Sequence, residues 1–306
     1  MALVSTSVRR GVALVGPGAI GSTVAALLHR GGHRVAVFGR TPLAAVEVHP
    51  DDASGVTGPL ILPGPVGTDP AAVAGPVDVV LLAVKDTQNA AAAPWLERLC
   101  DGDTLVCALQ NGVEQVERVG PLCPAATVVP AAVWFSAETT APAVVRLRTP
   151  ARVVLPDDPA ARQLAEVLQV DGLRIELDPD YLTETWRKLL TNAVAGLMVL
   201  TGRRSGMFGR ADIAALARRY TAECLAVARA EGARLGDEVI EDIPAMFAGL
   251  ATDMTTSMLT DRQAGRPLEW DIRNGVIARK ARAHSLPAPI SDVLVPLLAA
   301  ASDGPG

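Results

Sequence analysis

Gly16, Gly18 and Gly21 stand in the run Gly16-Pro17-Gly18-Ala19-Ile20-Gly21, directly behind the apolar stretch Val12-Ala13-Leu14-Val15. A buried strand feeding glycines at this spacing grips a pyrophosphate. The first glycine permits the tight turn, the second lets backbone approach the phosphates, and the third lets helix pack on strand. The diphosphate then lies at the helix N-terminus, against Ala19 and Ile20. A second strand, Arg34-Val35-Ala36-Val37-Phe38, follows the helix and leads to Arg40. Arg40 falls about 20 residues on, where a site for NAD would offer an acid to the ribose 2′-hydroxyl. No Asp or Glu precedes Glu47. An arginine there, with Arg34 or Thr41 as candidate helpers, suits a 2′-phosphate, so NADPH is the expected cofactor.

Lysine usage gives a second chemical clue. Of the 28 basic residues, three are lysine (Lys85, Lys188 and Lys280), which leaves 25 arginines. Where a positive charge alone suffices this chain uses Arg, so a retained Lys points to a need for an ammonium. An ammonium is a compact donor whose pKa falls on burial and which can give up a proton near neutrality; a guanidinium cannot. Lys188 lies in the apolar helical stretch Trp186-Arg187-Lys188-Leu189-Leu190-Thr191-Asn192, and Asn192, four residues on, shares its face. Two further candidates follow apolar strands. Val79 to Val84 delivers Lys85, and Leu105 to Leu109 delivers Gln110-Asn111-Gly112. Ligands of open α/β sheets sit beyond the carboxyl ends of the strands, so Lys85 is expected at a ribose or phosphate and Asn111 at the nicotinamide ribose or carboxamide.

The elements that must position these residues form two blocks. Up to residue 177 short β-rich runs alternate with helical segments; Thr127 to Trp134, Val144 to Leu147, Arg152 to Leu155 and Arg174 to Leu177 read as later strands. The stretch from His49 to Pro76 reads as small strands and turns. This is an α/β, Rossmann-type doubly wound domain over residues 1–177, with antiparallel additions. Asp178-Pro179 suits an N-cap followed by proline at the first helical position. From there the chain reads as an all-α domain over 178–306, with helices over Tyr181 to Leu200, Asp212 to Glu231, Ile243 to Thr260, Leu268 to His284 and Ile290 to Ala300.

Taken together, GPGAIG, VKDTQ, QNG, WRKLLTNA, Ser257-Met258-Leu259-Thr260-Asp261, Leu268-Glu269-Trp270-Asp271-Ile272 and Asn274-Gly275 resemble the ketopantoate reductases (2-dehydropantoate 2-reductases) along the whole chain. The resemblance implies NADPH-dependent reduction of 2-dehydropantoate to pantoate in pantothenate and coenzyme A biosynthesis. It places the general acid on Lys188, a catalytic-helix amide on Asn192, a substrate-binding serine on Ser257, an acidic partner on Glu269, and cofactor and active-site contacts on Lys85 and Asn111. Reducing a 2-keto acid needs hydride at C2 and a proton at the forming alkoxide. In that scheme Lys188 polarises the carbonyl and donates the proton, Glu269 holds or recharges the ammonium, and Ser257 and Asn192 bond the substrate's carboxylate or hydroxyl. The sequence departs from the family at Gly196, Met254 and Ser205, where asparagines are usual. Losing such donors reduces discrimination, which leaves a larger or more apolar 2-keto acid as an alternative substrate. In another class, a non-catalytic NADPH-binding sensor would need only the cofactor half.

Composition excludes several other classes. With 49% hydrophobic and 20% charged residues over 306 positions, the chain is globular and long enough for two cores. A net charge of -5 gives no reason to expect nucleic acid or an anionic membrane as partner. No stretch is apolar for the roughly 20 residues that span a bilayer. Met1 to Arg10 does not read as a signal peptide. Cys100, Cys107, Cys123 and Cys224 lack metal spacing, and with four scattered histidines they imply reduced thiols, a cytoplasmic location and no metal site. A small-molecule 2-keto acid is therefore the expected partner. An apolar helix face in the second domain could serve a homodimer or a domain interface equally.

Overall fold

A computed structural model describes residues 11–304; Met1 to Arg10, read above as no signal peptide, lie outside them. The first half opens with β1 (Val12–Val15), α1 (Ala19–Arg30), β2 (Val35–Phe38), β3 (Ala45–Pro50), β4 (Leu60–Pro63) and β5 (Val79–Leu82). It continues with α2 (Asn89–Leu99), β6 (Leu105–Ala108), α3 (Gln115–Val119), β7 (Thr127–Pro130), β8 (Ala132–Val133), β9 (Ala137–Ala141) and β10 (Val144–Leu147). It ends with β11 (Ala151–Pro156), α4 (Pro159–Leu168) and β12 (Leu173–Asp178). The second half is helical: α5 (Tyr181–Thr201), α6 (Ala211–Ala230), α7 (Val239–Gly249), α8 (Ser257–Gln263), α9 (Val276–Ala283) and α10 (Pro289–Ser302).

Strands β1, β5 and β6 are buried along their whole length, as continuous apolar runs must be when helices cover both faces of a sheet. They form the centre of a parallel sheet of order β2-β1-β5-β6-β7. The chain reverses its direction of winding between β1 and β5, the switch point beyond whose carboxyl ends such sheets bind ligands. Two smaller sheets, β4-β3-β10-β9 and β12-β11-β8, complete the α/β half. They are mixed and not simply antiparallel: β3 pairs parallel with β10 and β11 with β12.

Several local expectations need correction. Thr127 to Trp134 is two strands in different sheets; Pro130, which cannot donate to a ladder, closes edge strand β7. Asp178 does not cap α5. It ends β12, and its Oδ1 accepts from the Asp180 N–H at 2.7 Å, so the helix starts only at Tyr181. The same Asp-Pro pair does cap a helix at Asp158-Pro159, where the carboxylate accepts from the Ala161 N–H at 2.8 Å. The expected helix from Ile243 to Thr260 is broken by an exposed loop after Gly249, and Thr256 caps the new helix α8 by accepting from the Leu259 N–H at 3.3 Å.

The described chain packs as two compact units. One takes residues up to Gln110 and Gln115–Tyr181; the other takes Asn111–Glu114 and everything from Leu182 onward. Each has its own core, the helical one built on Trp186, Leu190, Val194, Phe208, Tyr220 and Ile277. The short insertion is explained by its contacts within the helical unit. Val113 packs against that core, and the Arg279 guanidinium donates to Glu114 at 2.6 Å.

Candidate active site

In the α/β unit the three glycines of the first turn meet three different constraints. Gly16 has φ +95°, and a Cβ there would lie 2.7 Å from Val84 Cγ1, so no other residue fits the turn. Gly21 packs α1 on the sheet, where a Cβ would fall 2.6 Å from Ala83 Cβ. Gly18 differs: a Cβ there would meet nothing within 4 Å. Gly18 thus stands beside open space at the start of α1, a helix with no side-chain cap and no acid in its first turn. Its leading N–H groups and dipole favour an anion, and the residues present fit the diphosphate of a dinucleotide.

Arg40 is exposed just past the carboxyl end of β2, with no acid beside it in sequence. Arg34 lies at the opposite end of that strand. At about 3.3 Å per residue it is too far to act with Arg40, so only Thr41 of the two candidate helpers stands on the same rim. Lys85 follows β5, two strands from β2 in the sheet, and its N–H donates to Gln88 Oε1 at 3.4 Å. Gln110 locks the ends of β5 and β6 together. Its Nε2 donates to Val84 O at 2.9 Å and to Asn89 Oδ1 at 2.6 Å.

The remaining candidates lie in the helical unit. Helix α5 is 21 residues long and presents Lys188 and Asn192 one turn apart on one face. Burial pulls the Lys188 ammonium down from its ordinary value to about 7; the Arg273 guanidinium acts in the same direction, and Glu269 and then Glu184 oppose both. An amine poised near neutrality can both hold and release a proton at working pH. Glu269 is buried just ahead of a helix that runs from Trp270 to Ala283. That helix opens with a π turn over Asp271–Gly275, an irregularity often found at functional sites. Asn111 Nδ2 donates to Glu269 Oε2 at 3.3 Å, and Gly112, with φ +98°, lets the loop lie against Ile272. Asn111 therefore joins the acid of the helical unit.

Ser257 is the exposed first residue of α8. Its Oγ accepts from Arg273 Nη2 at 3.0 Å, and the same nitrogen donates to Glu269 Oε2 at 3.3 Å. Arg262 fixes α8 in place by donating to the carbonyls of Val199 and Leu200 at the end of α5. Lys188, Glu269, Asn111, Ser257 and Arg273 thus form one linked constellation. Asn192 Nδ2 is buried without a hydrogen-bond partner.

Sequence reasoning missed Arg273. Among 25 arginines it carried no compositional signal; only its position four residues after Glu269, on the same helical face, could have marked it. The three departures from the family pattern also acquire local explanations. Gly196 leaves room for the buried Asn274, because a Cβ there would fall 2.8 Å from Asn274 Nδ2, which itself donates to Ala193 O and Tyr220 OH. Ser205 Oγ donates to Ala251 O at 2.6 Å and so ties down the loop before α8. Met254 is exposed in that same loop.

Comparison with known proteins gives a match for both halves of the chain. Residues 12–159 match the family described as ketopantoate reductase PanE/ApbA, and residues 180–302 match its C-terminal counterpart. A 2-dehydropantoate 2-reductase of Mycobacterium tuberculosis (strain CDC 1551 / Oshkosh) is 62% identical, covering 97% of this chain and 99% of that protein. One from Caulobacter vibrioides is 35% identical, covering 95% and 99%. Among solved structures, a dimeric ketopantoate reductase from Staphylococcus aureus superposes with a TM-score of 0.84 at 28% identity, covering 96% of this chain and 99% of that one. With both halves matched in order and nearly full-length relatives well above the identity at which folds and families coincide, the chain belongs to the ketopantoate reductase PanE/ApbA family.

Proposed function

We propose that the protein reduces 2-dehydropantoate to pantoate with NADPH, and that Lys188 is the proton donor. The observation that carries this reading is the linked group of Lys188, Glu269, Asn111 and Ser257, with the Lys188 ammonium at about 7. The 62% identity to a 2-dehydropantoate 2-reductase over almost the whole chain supports the same substrate.

Bound NADPH supplies the hydride for the keto carbon. Gly16, Gly18, Ala19, Ile20 and Gly21 would hold its diphosphate, Arg40 its 2′-phosphate, and Lys85 a ribose or phosphate. Reduction of the keto carbon makes the carbonyl oxygen an alkoxide that needs a proton. Lys188 Nζ hydrogen-bonds that oxygen and passes it a proton, leaving a neutral amine. Glu269 keeps the ammonium charged before the step and favours its recharging afterwards, while Asn111 Nδ2 orients the Glu269 carboxylate. Ser257 and the unpartnered Asn192 amide bond the substrate's carboxylate or hydroxyl. These roles, like the division at 177/178 into a cofactor-binding and a substrate domain, are inferences from placement and resemblance.

Turnover by the purified protein of 2-dehydropantoate with NADPH, beside NADH and branched and aromatic 2-keto acids, tests the reading. NADPH-selective reduction of 2-dehydropantoate is expected. Preference for a larger or more apolar keto acid would keep the chemistry and change the substrate, and tight NADPH binding without turnover would favour the sensor. The dimer named for the Staphylococcus aureus relative supports a homodimer here as well, which light scattering would test. Four free cysteines suit a reducing, cytoplasmic setting.

A further inference from the structure

The buried guanidinium of Arg273 is not required by the proton-transfer chemistry, and its hydrogen bonds leave it incompletely satisfied. Its side chain is 4% exposed, yet its Nε–H is buried with no acceptor, while Nη2 serves both Ser257 Oγ and Glu269 Oε2. A second buried donor, Asn192 Nδ2, one turn from Lys188 on α5, also lacks an acceptor. Orphaned buried donors are costly, and the one on Arg273 calls for a ligand that brings an acceptor oxygen. The charges point to its sign. Lys188 and Arg273 place two cations beside the buried carboxylate of Glu269, a setting that suits an anionic ligand. Ser257, exposed at the start of α8, opens the arginine to a ligand from the solvent side.

We propose that Arg273 is a specificity-determining residue of this site and receives the carboxylate of the 2-keto acid together with Ser257. This rests on the reading of the site as a 2-keto acid reductase. The unsatisfied Nε–H offers a carboxylate a charge-assisted hydrogen bond in a fixed direction, beside the Ser257 hydroxyl, which an ammonium on a flexible stem does not reproduce. The site then discriminates by the free carboxylate, and esters, amides and lactones of the same keto acid are poor substrates.

The test compares wild type, R273M and R273K on 2-dehydropantoate and on its lactone, an internal ester with the same keto carbon and no charge. Assays at about pH 6 keep Lys188 protonated throughout, so differences report binding of the carboxylate and not proton supply. For R273M, kcat/KM on the acid is expected to fall about 10²–10³-fold, mainly through KM, with the lactone changed by less than about threefold. R273K, which retains charge without the fork, is expected to lose about tenfold on the acid alone. Equal losses on acid and lactone in either variant, with NADPH binding intact, would overturn the proposal, as would an unchanged acid rate. Should R273M fail to fold, R273K decides by the same ratio. A wild type that reduces neither compound would instead remove the reductase reading beneath it.

Discussion

Lys188 illustrates how a single side chain's environment sets its chemistry. Burial does most to lower its ammonium, Arg273 adds to that, and Glu269 works against both, with a net result of about 7. The sign of each pH effect follows. With Lys188 as the proposed acid, which must be protonated to act, kcat/KM is expected to be full below about pH 7 and to fall as pH rises through the Lys188 value. Removing the Glu269 charge in E269Q removes a group that raises that value, so the descending limb moves to lower pH; a limb that stayed in place would detach Glu269 from Lys188. K188A is expected to lower kcat by about 10²–10⁴-fold with NADPH affinity, followed by nicotinamide fluorescence, nearly unchanged. R40S is expected to weaken NADPH about tenfold or more relative to NADH, read as the ratio of kcat/KM for the two cofactors.

At the scale of elements, the parts visible in the sequence are those governed by local rules. The strand–glycine turn–helix at Val12 to Arg30 was legible because each glycine answers a steric demand that spacing reveals, and the structure shows one filled approach at Gly16, one at Gly21 and one open cradle at Gly18. Lys188 and Asn192 were legible through helical periodicity. The strand exchange at Pro130, the sheet of β3 and β9, and the break before α8 depend on pairing between distant segments and on exposed Thr-rich turn chemistry, which periodicity does not register. Arg273 was hidden for a similar reason, since its partner Ser257 comes from another helix. The break itself matters to the site, because the Thr256 cap fixes the start of α8 and with it Ser257. T256A is expected to destabilise the protein by about 1 kcal/mol in urea unfolding and to raise KM more than it lowers kcat; an unchanged KM would mean that α8 holds Ser257 without its cap.

For the whole molecule, the proposed roles would divide two kinds of anion recognition between the units: backbone N–H groups and an exposed arginine for phosphates in the α/β unit, buried cations and amides for a carboxylate in the helical unit. The chain as a whole carries a net charge of -5, so attraction for an anionic substrate would have to come from the local constellation and not from the overall field. Among the described residues no helix is long and apolar enough to cross a membrane. Both family models match in order, so the pairing of these two units is a property of the family as well as of this chain.

The most direct measurement is steady-state reduction of 2-dehydropantoate by the purified protein with NADPH, run beside NADH and the panel of other 2-keto acids. The account predicts turnover that is fastest with 2-dehydropantoate and NADPH and that K188A lowers about 10²–10⁴-fold. Faster reduction of a bulkier keto acid, or NADPH binding with no turnover of any of them, would contradict it.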